Sequence, residues 1–145
     1  MRIRHSVIAL LLCVSSAVMA QGSPSRSYDY ALKCSGCHRQ DGSGKPDSGI
    51  PDFRDQVGYF LMLPEGRAFL MQVAGLLNSG LNDERSAAVT NYIVESFSGV
   101  SMPADFEPYT PEEAQHYRET RPADIAQRRY DLYVQLKAAG YELKK

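Results

Sequence analysis

Cys34-Ser35-Gly36-Cys37-His38 constrains this chain more than any other feature of its sequence. Positions three and four apart are neighbours on a helical turn, so both thiols and the imidazole can point at one ligand. The spacing is the attachment signature of a c-type haem, in which the two sulfurs bond to the vinyl groups and the histidine coordinates the iron. Two other readings use the same cysteines. A structural or redox disulfide has no need of the histidine. A thioredoxin-like pair wants a strand before the motif, whereas residues 27–33 read as a helix with Ser27 as N-cap and Asp29 in its first turn. A zinc site needs further ligands at regular spacing, and after the first twenty residues the chain offers only His116 as another histidine.

Those first twenty residues read as an export signal. Arg2, Arg4 and His5 precede an apolar run over 7–18, and Val18-Met19-Ala20 ends it with small residues at alternate positions, placing cleavage after Ala20. The run is about half the length that spans a bilayer. No later segment is apolar for long enough, so a soluble periplasmic protein without a membrane span is expected. Cys13 follows the large Leu12, which argues against a lipid-anchor site, and it leaves with the signal. What remains carries 14 Lys and Arg against 17 Asp and Glu, a formal charge of −3. Such a mildly acidic, mixed surface gives no support for nucleic-acid binding or for adsorption to anionic lipid.

Further signals follow the motif. Arg39-Gln40-Asp41-Gly42-Ser43-Gly44 comes next, then Gly49-Ile50-Pro51-Asp52-Phe53. Later stands Leu81-Asn82-Asp83-Glu84-Arg85-Ser86-Ala87-Ala88-Val89-Thr90-Asn91-Tyr92-Ile93-Val94, a helix with Asn82 as N-cap and two acids in its first turn. Val89, Tyr92, Ile93 and Phe97 form its apolar stripe. With these features residues 28–97 resemble the small monohaem cytochromes c of bacteria. The turn is similar to that family's H-x-x-D-G-x-G, and the helix to its closing L-S-D-E-E-I-A-A-V-x-A-Y-I. The resemblance implies an all-α small cytochrome c fold around one covalent haem c, with Cys34 and Cys37 attached and His38 as proximal iron ligand. It also implies that the Pro51 carbonyl meets the second nitrogen of that imidazole, although Pro51 reads equally well as a turn residue. The function implied is electron transfer from a periplasmic dehydrogenase to a further cytochrome or an oxidase. No acid–base pair or nucleophile stands out for turnover of a substrate.

In that family a methionine about eight residues before the closing leucine takes the other side of the iron. Here that place falls on Val73-Ala74-Gly75. The candidates for a distal ligand are Met71, on a helix expected over 65–73, and Met102, in a Met-Pro pair beyond the closing helix. Met62, Asn78 and His116 are further choices, and a five-coordinate iron is the last. A Met/His iron suits electron relay. An open iron binds small molecules, and this makes a haem-based sensor or ligand-binding protein the alternative function.

The chain therefore divides into a signal peptide at 1–20, a cytochrome domain at 21–98 and, at 99–145, a Pro-rich link with a helical extension. In the extension Thr110 is an N-cap, Pro111 takes the first helical position, and Glu113 completes a capping box. A second helix is expected from Pro122 to Gly140, with Ile125, Leu132, Tyr133, Leu136 and Ala139 along one side. That stripe packs either on the haem domain or on a partner. Arg118, Arg121, Arg128 and Arg129 read as a solvated face.

Overall fold

A computed structural model describes residues 25–144, and among these residues the chain forms seven α-helices. They are α1 (Arg26–Lys33), α2 (Ser35–His38), α3 (Pro64–Gln72), α4 (Ala74–Leu77), α5 (Asp83–Phe97), α6 (Pro111–Glu119) and α7 (Ile125–Ala138). Among the described residues the only β pairing is an isolated bridge between Lys45 and Ile50, so the fold is all-α as expected. The expected export signal, with Cys13, lies outside the described residues.

Helix α1 starts earlier than its sequence suggests. The Ser25 carbonyl accepts from the amides of Tyr28 and Asp29, which makes Ser25 the N-cap and places Ser27 inside the first turn. The helix is fastened to α5 by two adjacent side chains. Asp29 is fully buried, and its carboxylate accepts two hydrogen bonds from the Arg85 guanidinium, one of them 3.0 Å from Nε. Tyr30 lies next to it, with its ring 5.4 Å from Tyr92 and 5.2 Å from Phe97. Helix α5 is capped as predicted, since the Asn82 side chain accepts from the Arg85 amide at 2.9 Å. Its stripe divides its duties: Val89 is in the core, Tyr92 and Phe97 surround Tyr30, and Ile93 faces a cavity.

Pro64 opens α3, which stops at Gln72 because Val73 turns to an extended conformation (φ −65°, ψ 141°) before α4 begins. The helix comes so close to the preceding 3-10 turn, Val57–Met62, that a Cβ on Gly66 would lie 1.8 Å from the Phe60 carbonyl oxygen.

The segment after Ser98 folds back onto this frame. The Asn91 side chain holds both backbone polar groups of buried Tyr109, accepting from its amide at 2.7 Å and donating to its carbonyl at 3.0 Å. Arg67 of α3 lies 4.2 Å over the Tyr109 ring and makes two 2.8 Å hydrogen bonds to Glu113. The Thr110–Glu113 capping box forms as predicted. Helix α7 starts at Ile125 rather than near Pro122, because the Asp124 carboxylate caps it through the Gln127 amide at 2.8 Å. Leu132 and Leu136 are fully buried, while Ala139, at the end of the expected stripe, is exposed. Beyond α7 the Tyr141 ring lies 4.7 Å from Tyr59, and the Lys144 amide donates to Gln56 Oε1 at 2.6 Å. Tyr109 and Ala114 share one buried cluster with Tyr30, Met71 and Leu81, so part of the apolar surface after Ser98 is covered within the chain itself, while Val100, Tyr130 and Val134 stay exposed.

Removing Arg85 would strand a buried carboxylate. Arg85→Ala is expected to lower the midpoint of denaturant unfolding, and more so than Arg85→Lys, which keeps a cation beside the carboxylate. Arg67 holds the Glu113 carboxyl below the usual carboxylate range. A depressed folded pKa means that this stabilisation is complete above the unfolded value, about 4.3, and is lost as pH falls through the folded one. Melting curves of Glu113→Gln and the parent chain should therefore differ at pH 7 and converge on acidification.

Candidate functional site

Cys34 is both the C-cap of α1 and the N-cap of α2, so the motif occupies the corner between two helices. The amides of Cys37 and His38 both donate to the Cys34 carbonyl, at 3.2 and 2.9 Å, and wind the five residues into a single turn. That winding brings Cys34, Cys37 and His38 to the wall of one cavity. Both thiols are free; Cys34 is half-buried and Cys37 exposed. Burial, with the neighbouring Asp29 and Cys37 adding to it, pushes the Cys34 thiol up to about 11. Among the described residues no group of three or more His, Cys, Asp or Glu side chains is arranged to hold a metal ion, so the zinc reading finds no ligand set.

The turn is held from behind. Arg39, immediately after His38, adopts φ +61°, a region that side-chain-bearing residues seldom occupy. The buried Tyr30 hydroxyl donates to the Arg39 carbonyl at 2.6 Å and pins this kink to the α1–α5 crossing. The chain then returns through Gly44, whose amide donates to the His38 carbonyl at 3.0 Å, and passes Pro51.

Here the structure brings together a pair that the resemblance implied. His38 Nδ1 lies 3.4 Å from the Pro51 carbonyl oxygen. A carbonyl only accepts, so Nδ1 must carry the hydrogen, leaving the lone pair on Nε2. The imidazole also stacks on Phe53, with the rings 4.1 Å apart and 16° from parallel. Burial lowers the His38 pKa and the Arg129 charge adds to that, while the Pro51 carbonyl opposes both; the net shift favours the neutral, ligating form.

The cavity measures about 540 Å³, inside the ~300–1,000 Å³ range of small-molecule and cofactor sites. Phe53 and Val57 line it near His38, Leu70, Val73 and Leu76 from the α3–α4 corner, and Ile93 and Val94 from α5. The place where the family would carry a methionine is thus a wall of the cavity, and Val73 occupies it. Neither methionine candidate lines this space. Met71 faces the other way, into the core, and is 2% exposed, while Met102 follows the 3-10 turn Gly99–Ser101. Met62, Asn78 and His116 are also absent from the lining, and all three are exposed.

Four lining residues come from the far end of the chain: Arg129 and Tyr133 of α7, and Leu143 and Lys144 beyond it. Arg129 is exposed, as expected of a solvated face, and it also borders the cavity. A signal was present in the i, i+4 spacing of Arg129 and Tyr133, which flank the buried Leu132–Leu136 stripe on one side. Phe53 carries no such signal, since nothing in spacing alone distinguishes a ring that stacks on histidine from ordinary core.

The Pro51 contact depends on the absence of a side chain at Gly44. This residue has φ +61°, and a Cβ there would fall 2.3 Å from the Pro51 carbonyl oxygen. Gly44→Ala is expected to displace that carbonyl and to abolish the slowly exchanging His38 ring N–H signal in proton NMR.

No family model matches the chain. Two known proteins do. Cytochrome c-552 of Thermus thermophilus is 28% identical over 133 residues, covering 79% of this chain and 86% of that protein. A second Thermus thermophilus cytochrome c-552 is 30% identical over 104 residues, covering 59% of this chain and 79% of its own length.

Proposed function

This chain belongs to the c-type cytochromes, and on that premise we propose that it is a periplasmic electron carrier built on one covalently attached haem c. The observation that carries the reading is the convergence of Cys34, Cys37 and a neutral His38 on one apolar cavity of cofactor size. Two free thiols and an imidazole lone pair are the donors that haem c requires, so the residues fit the group. When bound, haem c supplies a one-electron iron couple. Cys34 and Cys37 form the thioether links and His38 ligates the iron. Pro51 fixes the tautomer and orientation of the imidazole and increases its basicity. Phe53 holds the ring flat, and the aliphatic walls keep water from the centre.

In this reading residues 1–20 direct export, 21–98 form the cytochrome unit, and 99–145 pack on it as an extension. The partners are redox proteins, a dehydrogenase as donor and a further cytochrome or oxidase as acceptor. Neither nucleic acid nor membrane is among them, and among the described residues no helix is long and apolar enough to cross a bilayer. The chain carries electrons and does not turn over a substrate of its own.

One observation favours a second reading. With Val73 at the usual ligand position and both Met71 and Met102 outside the lining, the cavity presents no thioether opposite the motif. An open iron would bind small ligands, as a haem-based sensor or binding protein does.

Replacing both Cys34 and Cys37 with serine is expected to abolish haem retention on a denaturing gel; retention would overturn the assignment. The second reading expects the near-infrared methionine-to-iron band to be missing, carbon monoxide to shift the reduced spectrum, and Met71→Leu and Met102→Leu to leave both spectra unchanged; the electron-carrier reading expects no shift with carbon monoxide. A methionine band lost in either variant would restore that residue as the distal ligand.

A further inference from the structure

The polar groups of the cavity wall are mostly committed to one another. Asp52 is held by Arg54 at 2.8 and 3.0 Å. Gln56 donates to the Asp52 carbonyl and accepts from the Lys144 amide. The Lys144 ammonium is placed on the Arg54 carbonyl at 3.1 Å and beside Asp55 at 3.5 Å. Lys33, at the end of α1, also lines the cavity and has no side-chain partner among the described residues. Arg129 and Tyr133 likewise stand uncommitted. They lie one turn apart on α7, both line the cavity that His38 lines, and among the described residues neither side chain has an ion-pair or hydrogen-bond partner. Arg129 is exposed and Tyr133 half-buried, which puts the cation at the cavity's edge and the phenol deeper in. Behind them stand Leu70, Val73 and Leu76, which offer no donor.

We propose that Arg129 and Tyr133 make this cavity the binding site for a small exogenous anion. The inference rests on the reading that His38 holds a haem iron there. A guanidinium keeps its charge at every physiological pH. A charge-assisted hydrogen bond from it beside apolar walls is stronger than the same bond in water. The phenol adds one neutral donor. A neutral ligand gains nothing from the guanidinium charge, so the pair selects by charge. The same cation has one other possible anionic partner, the carboxylates of the haem itself, and the experiment separates the two sources.

The probe is azide, titrated into the purified, haem-loaded ferric protein and followed by its absorption spectrum, with neutral imidazole as control. Azide is expected to bind saturably. Arg129→Gln should weaken it about tenfold or more and leave imidazole affinity unchanged, Arg129→Lys should restore most of the loss, and Tyr133→Phe should weaken azide less than Arg129→Gln does. The proposal is overturned if azide leaves the spectrum unaltered while haem is attached, or if Arg129→Gln binds azide as the parent does. It is overturned equally if azide and imidazole weaken together, which marks a structural role. A shifted reduction potential in Arg129→Gln with unchanged azide affinity assigns the cation to the haem carboxylates, and that also overturns it. A chain that carries no covalent haem fails the underlying reading, visibly and separately, and takes this inference with it.

Discussion

The contact between Asp29 and Arg85 is the joint on which the rest of the structure turns. A carboxylate taken fully out of water is costly unless a hydrogen-bonded cation meets it, and Arg85 meets it with two nitrogens. The pair fixes where α1 crosses α5, and that crossing fixes Tyr30. The Tyr30 hydroxyl fixes the kinked carbonyl of Arg39, the residue next to His38. An ion pair outside the cavity thereby helps to set the position of the His38 imidazole at its wall. The motif contributes the chemistry, and the crossing contributes its aim.

On its other side the imidazole meets a backbone carbonyl, with the Phe53 ring stacked on its face. Pro51 offers a carbonyl, and Gly44 makes room for it by having no side chain. Neither residue carries reactive chemistry. The two functions are separable in sequence: the cysteines can be recognised from their spacing, whereas the glycine and proline matter only through the path the backbone takes.

That distinction explains how much could be read in advance. Local signals were legible because they depend on neighbours in the chain. Asn82 and the Thr110–Glu113 box cap helices where capping chemistry places them, and Cys34, Cys37 and His38 converge because a helical turn makes them. Less legible were features decided across the fold. Ser27 lost the N-cap position to Ser25, and α7 began at Asp124 instead of near Pro122, because each boundary was set by which side chain or carbonyl reached the free amides first. Arg129 was missed for a related reason. Three arginines on two helices and a fourth in the link between them look alike in sequence, and only the seating of α7 decides which one borders a cavity. Met71 and Met102 are candidates by residue type and spacing, but the direction of the Met71 side chain on α3 is settled by the buried cluster that it joins.

The closing contacts of the tail carry a further consequence. Lys144 reaches Gln56 and Arg54 across 88 and 90 residues of chain, whereas the motif and Pro51 are joined across 13. Contacts of long separation bear a larger loop-closure cost and form after local ones. The wall contributed by α7 and Leu143 therefore carries the largest loop-closure cost of any part of the cavity: the space beside the motif is completed by the residues most distant from it along the chain.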